Sequence, residues 1–145
     1  MIALSAESFA AIQAHGSRDY PYECCGFLLG NEADGRKLVV EAWPAANSHE
    51  DTADETRRRR YLITPADMIG GQAHADAKGL SIVGFYHSHP DHPARPSQTD
   101  LERAGFDYWS YIILSVEQGR PAALTSWLLT DNYSKFTEET VEICQ

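Results

Sequence analysis

The chain has 145 residues, 43% hydrophobic and 23% charged, which suits one globular domain over residues 1–145 and excludes a disordered or fibrous chain. Its net charge of −9 disfavours a nucleic-acid partner, and no apolar run is long enough to span a membrane. Three cysteines, two of them adjacent, make no disulfide framework and fit a reducing cytoplasm; the N-terminal stretch lacks the basic region of a signal peptide.

Residues 5–16 read as a first helix, with Ser5 at the N-cap, Glu7 in the first turn and Gly16 as its stop. His15 falls in the last turn, where a cation suits the helix dipole. Residues 22–30 read as a strand with Phe27, Leu28 and Leu29 at its buried centre. On such a strand Cys25 shares a face with Glu23, yet small buried residues are the preferred reading of Cys24 and Cys25 over a nucleophile or ligand. After a turn over residues 31–35, residues 36–42 return as a hairpin partner, with Lys37, Val39 and Glu41 on one face and Leu38, Val40 and Ala42 on the other.

Residues 47–60 are irregular, acidic first and ending in four arginines, and read as a solvated loop or a flap over a substrate groove. Thr64, Pro65 and Asp67 then mark a helix start with a capping box, and Ile63 and Met68 occupy the hydrophobic-staple positions. This helix is expected to run to about Lys78, with His74 on its surface or in the core, and Gly79 ends it. Residues 80–89 form a nearly unbroken apolar strand, buried on both faces. Residues 97–106 read as a third helix, residues 111–116 and 122–129 as strands, and residues 133–143 as one last polar strand at an edge.

The chemistry concentrates at the end of the apolar strand. His87 and His89 are two residues apart and point the same way, while Ser88 faces away and Pro90 stops the ladder. Asp100, three residues after Ser97 at the opening of the next helix, brings a carboxylate that can swing back to the imidazoles. Ser97 with Asp100 also has the form of a capping box, and an aspartate tied to its own helix terminus is less free to bind metal. A Ser97 cap with Asp100 turned outward satisfies both demands. Two nitrogens and one oxygen with an open fourth position are the pattern of a catalytic zinc site. His92 and Asp91 are rival ligands, and Glu23, Glu32 and Glu41 are equal candidates for a base on chemistry alone.

The run His87-Ser88-His89-Pro90, a spacer, then Ser97 and Asp100 resembles the signature of the JAMM (MPN-plus) metalloprotease family. The upstream stretch from Glu23 through Cys24, Cys25 and Gly26 to Leu28 and Gly30 is similar to the family's glutamate motif. The resemblance implies that His87, His89 and Asp100 bind Zn2+, that Glu23 is the general base and later the acid, and that Ser97 donates to the oxyanion. It implies a cytidine-deaminase-like fold, in agreement with the order of elements, which reads as α+β or mixed α/β with a curved mixed sheet flanked by helices. It further implies a stand-alone prokaryotic enzyme that cuts after the C-terminal Gly-Gly of a ubiquitin-like or sulfur-carrier protein. The alternatives are a non-catalytic MPN-type scaffold, which would lack ligands, and a DNA-repair-associated metalloprotein, against which the acidity weighs.

Overall fold

The apolar runs pair into one mixed sheet in the computed structural model, which describes residues 1–45, 61–130 and 132–144. In chain order the elements are β1 (Ile2–Ser5), α1 (Ala6–Asp19), β2 (Cys25–Ala33), β3 (Arg36–Ala45), α2 (Pro65–Ala77), β4 (Ser81–Pro90), α3 (Gln98–Arg103), β5 (Ser110–Glu117), β6 (Arg120–Thr130), β7 (Lys135–Glu139) and β8 (Val141–Cys144). The loop and flap readings of residues 47–60 lie outside the described residues.

The strand order is β7-β6-β5-β4-β2-β3-β1-β8. The pairs β4–β5, β1–β3 and β1–β8 are parallel and the others antiparallel. This is the expected curved mixed α/β sheet. One residue, Thr140, separates β7 from β8, yet the two are the opposite ends of that order. The sheet must therefore curl until its ends approach. Inside the curl, Lys37 of β3 donates to Ser110 of β5 at 2.9 Å, and Ser110 and Ser126 both donate to Glu139 of β7. The expected single last strand is thus two. β7 runs beside β6, and the chain then crosses the seam to join β1.

Two apolar cores fill the two sides of the sheet. Ile12 of α1 packs with Ile2, Leu28, Tyr86, Ile112 and Leu114. On the other side Phe27, Leu29, Phe85 and Tyr111 pack with Ala75 and Met68 of α2 and Leu101 of α3. Gly16 does not stop α1, which continues to Asp19; its missing side chain makes room for Leu114 and Val116. On β3, Lys37 and Val39 turn inward and leave Leu38 and Val40 exposed. A bulge follows, since Leu29 pairs with Glu41 and Gly30 with Val39, and it resets the alternation so that Ala42 is also buried. Gly84 sits where the backbone of β4 meets Ser110 of β5, and any Cβ there would collide with that residue's carbonyl.

Candidate metal centre

β4 is buried from Ile82 to Pro90, and its alternation decides which side chains face which core. Tyr86 and Ser88 point toward α1. Ser88 accepts a hydrogen bond from the Cys24 N–H at 2.8 Å, and its own N–H donates to the Cys24 carbonyl at 3.1 Å. This clamp fixes the residue next to Glu23 from the far face of the sheet. The signal for it was in the sequence: Ser88 has to face away from its two histidines.

His87 and His89 point to the other face, with their Nε2 atoms 3.1 Å apart. Asp100 Oδ2 lies 3.3 Å from the first and 3.1 Å from the second. Three ligands held at about 2.0–2.1 Å from a tetrahedral centre stand about 3.3 Å from one another, so the three atoms fit three corners of such a site. His89 Nδ1 donates to the Pro93 carbonyl at 2.9 Å, leaving the Nε2 lone pair turned to the shared point. The His87 ring is held by packing, stacked on Tyr61 at 4.5 Å. Its Nδ1 is buried with no hydrogen-bond partner among the described residues. Burial holds His87 below its ordinary protonation range, against the pull of Asp100, so its lone pair is available. Burial pushes the Asp100 carboxyl up, but the two histidines and the Ser97 N–H outweigh it and hold the group well below the usual carboxylate range.

The two readings of Asp100 turn out to be one geometry. Ser97 Oγ accepts from the Asp100 N–H at 3.0 Å, and Asp100 Oδ2 accepts from the Ser97 N–H at 2.8 Å. The capping box is closed, and the same Oδ2 faces the histidines. Asp100 is therefore not turned out of the box as expected, because a carboxylate oxygen has lone pairs for both tasks.

Glu23 lies two residues before β2 rather than within a strand, so it shares no strand face with Cys25. It is buried and lines a cavity of about 490 Å³ together with His89 and Ser97. Burial raises its carboxyl well above the ordinary range, and the nearby charge of Asp100 adds to the shift. Its rivals lie elsewhere. Glu41 pairs with His74 of α2 at 2.7 Å and with Lys78, just past its end, at 2.6 Å, and Glu32 is exposed at the hairpin end. Asp91 binds the Tyr20 hydroxyl and the Gln118 N–H and so anchors the loop after β4. His92 is exposed on the cavity wall and outside the ligand triangle. Cys24 and Cys25 are buried free thiols whose deprotonation burial opposes, that of Cys24 being pushed up to about 12. Tyr61 and the Pro93 carbonyl were not foreseen; they support the histidines through the fold and carry no spacing signal.

Residues 5–130 match the family described as prokaryotic homologs of the JAB domain. The chain belongs to this family. Among its JAB relatives is a desampylase of Haloferax volcanii, 33% identical over 84% of this chain and 85% of the relative. A CysO-cysteine peptidase of Mycobacterium tuberculosis is 28% identical over 100% of this chain and 92% of the relative. A solution structure from Salinibacter ruber is 43% identical, with a TM-score of 0.76 over 98% of this chain and 91% of that one. A JAB1/MPN domain protein from Archaeoglobus fulgidus shares the fold, with a TM-score of 0.60 at 18% identity over 100% of this chain and 98% of that one. No helix among the described residues is long and apolar enough to cross a membrane.

Proposed function

We propose that residues 1–145 form one JAB-type domain working in the cytoplasm as a zinc-dependent peptidase or isopeptidase. Its substrate is the bond after the C-terminal Gly-Gly of a ubiquitin-like or sulfur-carrier protein. The observation that carries this reading is the convergence of His87, His89 and Asp100 at 3.1–3.3 Å beside a cavity lined by Glu23 and Ser97. The names of the relatives, a desampylase and a CysO-cysteine peptidase, support a carrier-protein conjugate as substrate. A scaffold would not need the full ligand set, and the net charge of −9 opposes a nucleic-acid role.

His87 and His89 would hold the cation through Nε2 and Asp100 through Oδ2. Two imidazoles and a carboxylate with an open position suit zinc. When bound, the cation supplies Lewis acidity, polarising a carbonyl and lowering the pKa of water. Glu23, its proton affinity raised by burial, takes a proton from the attacking water and returns it to the leaving amine. Ser97 Oγ is already an acceptor for the Asp100 N–H, so its own proton is directed elsewhere and can donate to the oxyanion.

The test is hydrolysis of a carrier extended beyond Gly-Gly, with and without chelator, alongside zinc counting by mass spectrometry. The wild type is expected to bind one zinc per chain and to lose cleavage on chelation. Glu23→Gln is expected to keep zinc and lose about 10²–10⁴-fold in kcat. Full activity in that variant rejects Glu23 as the base, and a wild type that binds no zinc rejects the centre.

A further inference from the structure

The cavity beside the candidate metal centre is lined by two side chains that the hydrolytic chemistry does not use. Arg95 and His92 share its lining with Glu23, His89 and Ser97. In a chain with 21 acidic against 12 basic side chains, Arg95 makes no ion pair with any described residue. Arg18, Arg36 and Lys78 by contrast rest on Asp19, Glu142 and Glu41. The backbone that presents Arg95 is pinned. Its N–H donates to the Pro93 carbonyl at 2.8 Å, and the preceding Ala94 carbonyl accepts from Thr125 Oγ1 at 2.7 Å. Pro93 is also the residue that orients His89.

We propose that Arg95 binds a free α-carboxylate on the leaving group, so that this enzyme releases a single amino acid from the tail of its carrier. The inference rests on the peptidase reading above. Arg95 and Ser97 are two residues apart, which limits their Cα separation to about 7 Å. An α-carboxylate stands only two bonds from the scissile nitrogen of a terminal residue, and Arg95 lines the same cavity as Glu23, His89 and Ser97. A lysine side chain of a protein target brings no carboxylate to that nitrogen and leaves the guanidinium facing nothing of opposite charge. Guanidinium and carboxylate match as a bidentate pair, and a cation here offsets the repulsion an anionic product meets from an acidic protein. Hydrolysis sends the oxygen of water to the terminal glycine carbonyl and leaves the amino acid with a free amine.

The experiment compares two carriers that end in Gly-Gly-X and differ only in whether X has a free carboxylate or a carboxamide. With zinc-loaded wild type, kcat/KM is expected to be about 10- to 100-fold higher for the acid, the worth of one charge-assisted pair. In Arg95→Gln the acid falls to the level of the amide, and Arg95→Lys keeps part of the preference. Independently of any variant, free X is expected to inhibit the wild type more strongly than its amide. Equal rates for acid and amide in the wild type, or an undiminished preference in Arg95→Gln, overturn the assignment of Arg95 while leaving the peptidase reading in place. Absence of chelator-sensitive cleavage of either carrier overturns both.

Discussion

His15 shows how burial changes the meaning of a residue. Sequence position makes it a cation at a helix end. In the structure its Nδ1 meets the Tyr86 hydroxyl at 2.7 Å and its Nε2 meets Asp19 at 3.1 Å, with the ring 5% exposed. Burial lowers its proton affinity below the ordinary 6.5, against the pull of Asp19. The unfolded chain therefore binds a proton near pH 6.5 that the folded chain refuses, so the stability His15 contributes is complete above that pH and is lost as pH falls. A His15→Gln variant is expected to melt lower than wild type at pH 7.5, with the gap narrowing as pH falls below 6.5. A gap that stays constant in thermal melts would show that His15 does not titrate with folding. At this scale the shared orientation of His87 and His89 was legible because alternation on a strand is a local rule. Glu23 was not separable from Glu32 and Glu41 by physics alone, since only tertiary packing shows which glutamate reaches the cavity.

Two helix starts illustrate what an element inherits from its first four residues. Both α2 and α3 begin with closed capping boxes, Thr64 with Asp67 and Ser97 with Asp100. Each cap is worth about 1 kcal/mol, so Thr64→Ala and Ser97→Ala are expected to cost similar stability in denaturant unfolding. Under the proposed mechanism their activities separate: Thr64→Ala keeps kcat, whereas Ser97→Ala is expected to lose about 10²–10³-fold because it lacks the hydroxyl assigned to the oxyanion. Equal kcat in the two variants would remove Ser97 from the reaction. Capping boxes are readable because they close within four residues. The end of α1 was not, because Gly16 is a helix stop in sequence but a packing contact for Leu114 in space. The start of the chain escaped as well. Ile2–Ser5 is too short to show a pattern, and its strand exists through ladders to β3 and β8, whose partners are distant in sequence.

Across the whole molecule the curl of the sheet was foreseen, but not where it closes. A polar run at the end of the chain reads as one edge strand. Its two halves part at Thr140 for opposite ends of the sheet, and Glu139 just before it accepts from Ser110 and Ser126 inside the curl. The candidate metal centre draws His87 and His89 from β4 and Asp100 from α3; β4 pairs with β2 in the middle of the strand order, while β7 and β8 are its ends. Breathing at the seam should consequently leave the centre undisturbed. In amide hydrogen exchange, β7 and β8 are expected to open in a low-energy step, and the amides of β2 and β4 to exchange only with global unfolding. Equal protection in all four strands would mean that the ring opens as one cooperative unit. With separate openings, residues 135–144 act as a latch that can loosen many times while the catalytic floor stays shut.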